Sequence, residues 1–500
     1  MKDLLILPIL IPMLTAMITL LMGDGLRNAK RWLGGIAIAA TLGVSAYLLS
    51  MSAGGEIVTY GFGDWPMPFG IVFVLDRLSG LMLTLTGVLA LFAYVYAITG
   101  PDTKGPSFHF LFLMQITGVN GSFLTGDLFN LFVFFEILLL TAYVLVVYGS
   151  GPARTRTGMQ YVFINLLGSS LFLVAIGVIY AVTGTLNMAD LAVKFAQVGA
   201  ADAMLVRASA YLLIVVFAVK AGLFPLYFWL PHSYAAVTAP VAALFAIMTK
   251  VGVYAILRST TLFFGPDQGF VENLVLPYLL PVALVTLVAA VLGAVSATKL
   301  RTMAAYLLLA SIGTMLAGIG LFTAAGISAS LYYLLHSTLI MGALFLVADL
   351  VSAQRGPDVR DSFVAGPKIR QPLLLGVFFC FTLIGVLGLP PLSGFLGKAQ
   401  ILAAAVASPW QTAMWATVLL TSLLSLVAAG RAGTTLFWNT SDTLETRSSE
   451  AGWKSLPIAG LLACVVLLTV FAGPLTRFTE ATANQLLERT PYISSVLESP

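Results

Sequence analysis

The sequence contains very little charge for its length. Only 9% of its 500 residues are Asp, Glu, Lys or Arg, whereas about 25% is usual in soluble domains. So few ionised side chains cannot cover the surface of a soluble protein of this size, which excludes a soluble globular enzyme. The formal net charge is +4, and the basic residues lie in short segments between apolar runs. Nothing in this distribution indicates nucleic-acid binding.

Cysteine and histidine are also scarce. The two cysteines, Cys380 and Cys464, lie in apolar runs, and the three histidines are far apart in the chain. This usage excludes a disulfide framework and provides no metal-ligand spacing. No Gly-rich phosphate loop or nucleophile elbow stands between a predicted strand and a predicted helix. We therefore expect neither a metal nor another cofactor.

Apolar residues dominate the chain instead. They make up 59% of it, and the mean hydropathy is +0.99. Apolar runs of at least ~18 residues recur, each long enough to cross a hydrocarbon core of about 30 Å. Because only helices satisfy their own backbone as separate spans, we predict an all-α polytopic membrane protein. The fourteen predicted spans are 4–22, 32–52, 78–99, 107–124, 128–149, 158–183, 208–230, 235–258, 273–296, 302–323, 327–350, 372–404, 412–438 and 456–474.

Lysine and arginine mark every second loop. Such loops stay in the cytoplasm, whereas loops 52–70 and 261–272 contain neither residue. This asymmetry predicts a multi-pass protein of the inner (plasma) membrane with both termini outside the cytoplasm. The basic residues are Arg27, Lys30, Arg31, Lys104, Arg154, Arg156, Lys299, Arg301, Arg355, Arg360, Lys368, Arg370, Arg447 and Lys454.

Two predicted spans are interrupted by proline. Pro225 follows Gly222 in span 208–230, and Pro390 and Pro391 lie inside span 372–404. Proline lacks an amide donor and clashes with the preceding turn, and broken helices at membrane depth mark transport sites. The two breaks lie five predicted spans apart. Because an odd number of spans reverses the direction of the chain across the membrane, this offset predicts two repeats of inverted orientation. We place the N-terminal helices at 1–106, the repeats at 107–258 and 273–438, and a C-terminal helix with a tail at 439–500.

Five ionisable residues fall inside these apolar spans: Glu136, Lys220, Lys250, His336 and Lys398. A charge at membrane depth costs roughly 2.5–3.5 kcal/mol on insertion scales. We interpret the five as a proton path. Glu136 is the natural partner for Lys220, and breaking such a pair would favour the neutral lysine. The alternative is a static ion pair that fixes helix packing.

Each remaining candidate also has a simpler interpretation. Lys250 is either on the path or an interfacial anchor, and His336 is either a relay or a hydrogen-bonded core residue. Lys398 is either the exit gate or a lysine that extends to the interface. His232, after the first break, is either the residue through which protons enter or a plain loop histidine.

Several of these residues stand in motifs that resemble the antiporter-like membrane subunits. This superfamily includes subunits of respiratory complex I, membrane-bound hydrogenases and Mrp-type cation/proton antiporters. The motifs that carry the resemblance are Phe134-Phe135-Glu136-Ile137, Lys220 with Phe224-Pro225 and Trp229-Leu230-Pro231-His232, Ala239-Pro240, Lys250-Val251-Gly252-Val253-Tyr254, and Leu392-Ser393-Gly394-Phe395 before Lys398.

Within the superfamily, the chain is most similar to the D-type subunits of Mrp antiporters, a group also called Mnh or Pha. Lys398 and the Asp76-Arg77-Leu78 motif favour this group. The resemblance implies a transporter subunit, not an enzyme, that moves protons inside a hetero-oligomer while Na⁺ or K⁺ is exchanged. Many relatives carry a further lysine where this chain has Met341. The route from Lys250 to Lys398 then rests on His336, water and hydroxyls such as Ser311, Thr314 and Thr338.

Two other functions remain open from the sequence. The chain could be a proton-pumping subunit of complex I or of a membrane-bound hydrogenase, which would make the complex a translocase. It could also be a scaffold subunit whose charges only orient helices. The sequence does not decide between Na⁺ and K⁺.

Overall fold

A computed structural model describes residues 2–441 and 452–498, and helices make up most of this part of the chain. Arg447, one of the basic residues that predict the orientation, lies outside the described residues. The helices are α1 Leu7–Leu21, α2 Arg27–Ser52, α3 Arg77–Ala97, α4 Phe108–Leu124, α5 Leu128–Val147, α6 Pro152–Thr183, α7 Met188–Lys194, α8 Ala203–Ala221, α9 Trp229–Ala236, α10 Ala239–Leu262, α11 Leu276–Ser296, α12 Leu300–Ile319, α13 Ala324–Val359, α14 Pro372–Leu387, α15 Ser393–Ala404, α16 Gln411–Gly433, α17 Ser455–Val470, α18 Ala472–Leu487 and α19 Thr490–Leu497.

Twelve helical segments in the described residues are long and apolar enough to cross a membrane. Two shorter apolar helices, α4 and α14, accompany them. These findings confirm a helical, multi-pass membrane protein, and the count of fourteen spans stays a prediction. The most deeply buried helices are α10, α12 and α13, which pack against one another in the middle of the bundle. Two of these three helices, α10 and α13, carry predicted path residues.

Both interrupted spans are broken in the structure, as predicted. Gly222 directly follows α8 and Gly388 directly follows α14, with φ values of 80° and 73°. Glycine adopts this left-handed conformation without the steric cost that a side chain brings. The prolines that follow prevent the helix from continuing, and the chain becomes helical again at α9 and α15. In the first break, the amide of Phe224 donates to the Thr286 hydroxyl at 3.0 Å.

A short antiparallel hairpin adds a feature that the sequence prediction omits. Strand β1 (Val58–Gly61) pairs with β2 (Val72–Leu75), with Thr59 opposite Val74. Strand β2 also forms a bridge to Thr125, between α4 and α5. The hairpin lies in segment 52–70 and its continuation, where the sequence predicts only a loop, because eight paired residues give too short a pattern to recognise.

The C-terminal segment is folded as helices, whereas the sequence predicts a tail. Helix α18 packs on α13, and α19 packs near α7 and β1. Arg77 holds α18 in place, since its guanidinium donates to the Ala481 carbonyl at 3.2 Å. The Gln485 side chain donates to the Gly55 carbonyl at 2.9 Å. These amphipathic helices cover the end of the bundle at which α10 finishes.

A buried ion pair fixes this same end of the bundle. Asp76 caps α3 by accepting from the Ser79 amide. Its second carboxylate oxygen lies 2.6 Å from Arg258 on α10. The Arg258 guanidinium also lies over the rings of Tyr254 and Tyr492, 5.4 and 5.1 Å from their centres. The pair therefore joins α3, the central α10 and the C-terminal α19.

Candidate functional site

All five predicted path residues lie in helices. Glu136 is on α5, Lys220 is in the last turn of α8, Lys250 is on α10, His336 is on α13 and Lys398 is on α15. Lys220, Lys250 and His336 are 7, 0 and 1% exposed. The two outer lysines, Lys220 and Lys398, lie beside the two helix breaks.

Glu136 and Lys220 do not form the direct ion pair that the sequence suggests. Their charged atoms are more than 4.0 Å apart, although the two groups interact electrostatically. The Lys220 amine turns toward α6, where the Asn165 carbonyl and the Ser169 hydroxyl lie 3.4 and 3.5 Å away. Glu136 is half-buried, and its Oε1 atom is buried without a hydrogen-bond partner. A static salt bridge between these two residues is therefore absent.

A glycine brings the lysine helices together. A Cβ atom at Gly252 on α10 would collide with the backbone of Ala221, next to Lys220. Only a residue without a side chain permits this approach. The contact brings α10, the helix of Lys250, against the end of α8 next to Lys220.

Lys250 is completely buried, and its amine has no hydrogen-bond partner. Burying an unpaired ammonium costs several kcal/mol. Because α10 is buried throughout, the side chain has no route to an interface, which argues against the anchor interpretation. The site therefore needs a transient partner or water whenever Lys250 carries a proton.

His336 joins the two halves of the second broken helix. Its Nε2 atom lies 2.9 Å from the Gly385 carbonyl on α14, and its Nδ1 atom lies 2.8 Å from the Ser393 hydroxyl on α15. A carbonyl only accepts, so Nε2 must donate to it. In the neutral ring, Nδ1 then accepts from Ser393.

The Ser393 hydroxyl can adjust its hydrogen bond when this histidine is protonated. The Ser393 oxygen also lies 3.3 Å from the Val465 carbonyl. If Nδ1 takes a proton, it becomes a donor, and the Ser393 hydroxyl can rotate to donate to Val465 instead. The imidazolium would then keep both hydrogen bonds. The site can thus hold either protonation state without leaving a polar atom unpaired.

Lys398 lies next to the second helix break and contacts α14 on the other side of it. Its amine donates to the Leu387 carbonyl at 2.8 Å and to the Ser422 hydroxyl at 3.1 Å. Leu387 is the last residue of α14, where helix carbonyls lack helical partners. A cavity of about 20 Å³ adjoins the lysine, and its lining includes the hydroxyl residues Ser311, Thr314 and Ser422. A space of this size holds about one water molecule.

The structure places the residues expected on the route from Lys250 to Lys398 in different surroundings. Met341 is 1% exposed on α13, and the Thr338 hydroxyl donates to the Leu334 carbonyl of its own helix. Thr338 does not line the cavity next to Lys398, whereas Ser311 and Thr314 do. His232 lies in α9, where the sequence predicts a loop, and its side chain is exposed.

The family profile described as "NADH:quinone oxidoreductase/Mrp antiporter, TM" matches residues 125–425. The chain is also 39% identical to the D subunit of the Na⁺/H⁺ antiporter of Alkalihalophilus pseudofirmus, with all of both chains covered. The chain belongs to the family of Mrp antiporter and NADH:quinone oxidoreductase membrane subunits. The D subunit of a probable K⁺/H⁺ antiporter of Rhizobium meliloti is likewise 39% identical, over 100% of this chain and 98% of that one. These relatives confirm the predicted similarity to D-type subunits.

Several solved structures are similar to this chain over almost its whole length. A chain of the Mrp complex from Dietzia superposes with a TM-score of 0.86 at 27% identity, covering 99% of this chain and 100% of that one. A chain of the archaeal membrane-bound sulfane sulfur reductase gives 0.89 at 25%, covering 99% and 100%. A chain of Thermus thermophilus complex I gives 0.79 at 25%, covering 96% and 99%.

Several residues at the site are not among those predicted from the sequence. Asn165 and Ser169 contact Lys220, and Tyr161 lies one turn before Asn165 on α6. Their spacing of four residues forms a polar stripe along α6, a signal that the sequence does contain. Ser393, which contacts His336, stands in the motif Leu392-Ser393-Gly394-Phe395. Its role depends on a contact 57 residues away in the chain, which no local pattern reveals.

Proposed function

We propose that this chain is the proton-translocating subunit of a multisubunit Na⁺ or K⁺/proton antiporter. The observation that carries the proposal is the burial of Lys220, Lys250 and His336 in the core of an apolar bundle. Buried ionisable groups in a membrane protein are costly and usually functional. The full-length similarity to D-type antiporter subunits supports the cation exchange. The process is transport, driven by one ion gradient against another.

Protons would pass from Glu136 and Lys220 to Lys250, then to His336, and leave at Lys398. His336 suits the relay role because Ser393 and Val465 stabilise both of its protonation states. Lys398 suits the gate role because its amine already contacts a hydroxyl next to a water-sized cavity. The exposed position of His232 allows proton uptake from solution, although no contact joins it to Lys220.

The chain would work inside a hetero-oligomer of antiporter subunits, in the inner (plasma) membrane. The repeats would occupy 107–258 and 273–438, each with one of the observed breaks. With the basic loops in the cytoplasm, both termini, the hairpin and α18–α19 would lie outside it. Neighbouring subunits would help to form the cation route, since the described residues contain no group of three or more potential metal-binding His, Cys, Asp or Glu.

A redox-driven proton pump is the second candidate. The similarity to chains of complex I and of the sulfane sulfur reductase favours it. The identity to those chains is 25%, compared with 39% for the D-type antiporter subunits, so exchange is the better supported function. A pure scaffold role is the third candidate.

The test replaces Lys220 by Ala in the complete complex. Exchange is measured as Na⁺- or K⁺-induced collapse of the pH gradient in inverted vesicles. The matched control is Lys194→Ala, because Lys194 is 38% exposed and only pairs with Asp190 one turn earlier. We expect Lys220→Ala to abolish exchange with normal assembly, and the control to retain it. Normal exchange by assembled Lys220→Ala complexes would contradict the proton path, and proton pumping only on addition of a respiratory substrate would favour the redox pump.

A further inference from the structure

Helix α15, which carries Lys398, packs on the central helix α13 through glycine. A Cβ atom at Gly397 would lie 3.0 Å from the Tyr333 Cβ atom, and one at Gly394 would lie 2.6 Å from His336 Nε2. The two helices therefore approach closely, but the glycine face of α15 presents no side chains that interlock with α13. Rotation of α15 about its own axis is then opposed mainly by hydrogen bonds from its other residues.

Hydrogen bonds hold α15 from two sides. Lys398 donates to the Ser422 hydroxyl of α16 at 3.1 Å. Gln400 lies two residues later and points away from Lys398, because two residues rotate an α-helix by about 200°. Its Nε2 atom donates to the Thr476 hydroxyl of α18 at 3.0 Å, and its Oε1 atom is buried without a hydrogen-bond partner. An unpaired buried oxygen lowers stability, so stability alone does not explain a glutamine at this position.

Helix α18 is a firm support for this contact, because it is fixed to the middle of the bundle. The Thr479 hydroxyl of α18 lies 2.9 Å from the Ser328 hydroxyl of α13. Helix α17, which directly precedes α18, accepts a hydrogen bond from α13, since the Tyr332 hydroxyl donates to the Leu468 carbonyl at 2.9 Å. Thr476 therefore belongs to a helix that is anchored on α13, and its hydroxyl can hold α15 in a fixed orientation.

The orientation of α15 decides where the Lys398 amine lies. Besides Ser422, the amine donates to the Leu387 carbonyl at the end of α14, at 2.8 Å. Hydrogen bonds of these lengths are lost when the donor moves by about 1 Å. A misplacement of about 1 Å at a reacting group can cost roughly 10²-fold in rate. A small rotation of α15 is therefore enough to separate Lys398 from both acceptors and to slow proton transfer.

We propose, building on the function proposed above, that Gln400 and Thr476 are positioning residues for Lys398. Their hydrogen bond fixes the rotation of α15 against α18, which keeps the Lys398 amine on Leu387 and Ser422 next to the water-sized cavity. Neither residue transfers a proton itself. The C-terminal helix α18, which the sequence predicts as a tail, thus takes part in proton release at Lys398.

Two variants of the complete complex break this hydrogen bond. Thr476→Val replaces the hydroxyl by a methyl group of similar size, and Gln400→Met removes the amide from a side chain of similar length. Thr476→Ser keeps the hydroxyl. The matched control is Thr482→Val on the same helix, because the buried Thr482 hydroxyl donates to the Phe478 carbonyl of α18 itself. The maximal exchange rate per assembled complex, the half-saturating cation concentration and the unfolding temperature are measured.

We expect Thr476→Val and Gln400→Met to lower the maximal rate per assembled complex roughly tenfold or more, because Lys398 is misplaced. The half-saturating cation concentration stays at the parental value, and Thr476→Ser and Thr482→Val match the parent. The double variant should be no slower than the slower single variant, since both changes remove the same bond.

Parental rates per assembled complex in Thr476→Val and Gln400→Met would overturn the inference, even if the unfolding temperature falls, because a merely structural bond changes stability and not rate. An equal loss in Thr482→Val would also overturn it. The proposed function would survive either result if Lys220→Ala is inactive, and full activity of Lys220→Ala would overturn both. If Thr476→Val fails to assemble, the rate of Gln400→Met decides the matter.

Discussion

Gly394→Ala should disable His336 although it replaces no ionisable residue. A Cβ atom at Gly394 would lie 2.6 Å from His336 Nε2 and 3.0 Å from its Cε1 atom. It would lie closer still to the Gly385 carbonyl oxygen, the acceptor of the Nε2–H donor. The added methyl group therefore enters the space between the donor and the acceptor of one hydrogen bond.

The expected loss of stability in Gly394→Ala follows from these distances. The Nε2 contact is roughly 1 Å shorter than the ~3.5 Å at which such atoms attract. Relieving it separates His336 from Gly385, which forfeits a hydrogen bond of about 1 kcal/mol. Overpacking adds about 1–3 kcal/mol. We expect a total destabilisation of about 2–4 kcal/mol and a large loss of exchange, because His336 no longer joins α14 to α15.

The matched control is Gly376→Ala on α14, where the added Cβ would meet only Phe437, at 3.9 Å. Thermal unfolding of the solubilised protein gives the stability, and vesicle exchange gives the activity. The control should be as stable as the parent or slightly more so, since Ala favours helix by up to ~1 kcal/mol. Parental stability and exchange in Gly394→Ala would refute the proposed role of the His336 contacts.

Two further predictions concern the ends of the bundle. Arg258→Met leaves the Asp76 carboxylate, 1% exposed, without its partner and should destabilise the protein by about 3–5 kcal/mol. Lys194→Met removes a lysine that is 38% exposed, where water screens the pair with Asp190, and should cost at most ~1 kcal/mol in the same unfolding assay. Burial opposes the ionisation of Asp102, but hydrogen bonds from His109 and Arg31 outweigh it and hold the pKa of this carboxyl below its usual value. The pKa of Asp102 in the folded protein is thus lower than its unfolded value of about 3.9. Its contribution to the free energy of unfolding is therefore complete above about pH 3.9 and disappears as the pH falls through the folded pKa. The free energy of unfolding, measured from pH 7 down to about pH 3, should show this loss in the parent protein, and Asp102→Asn should lack it.

Much of the fold could be predicted from the sequence, because the signals are long or local. An apolar run longer than a membrane is thick leaves few alternatives to a helix, and both spans that contain the prolines are broken as expected, after Ala221 and after Leu387. The hairpin and the amphipathic α18 and α19 were missed. The apolar faces of α18 and α19 are a local helical signal that the prediction overlooked. No local pattern shows where these helices pack, as in the contact of Arg77 with Ala481.

The site was predicted less completely than the fold. The ionisable residues stand out because charge is expensive in an apolar span, but their partners do not. The Lys220 amine contacts α6 and makes no direct pair with Glu136, since the direction of a side chain depends on helix packing. The water-sized cavities beside Lys220 and Lys398 arise between helices, so no sequence pattern could reveal them.

The measurement that tests the central claim most directly is cation-dependent exchange by the whole complex with Glu136→Ala. Na⁺ and K⁺ are each added to inverted vesicles from cells that lack other antiporters, and the collapse of the pH gradient is followed. The account predicts exchange by the parent complex and its loss in Glu136→Ala complexes that assemble normally. Undiminished exchange in the variant would contradict a proton path through Glu136, and a parent complex without cation-dependent exchange would contradict the antiporter function itself.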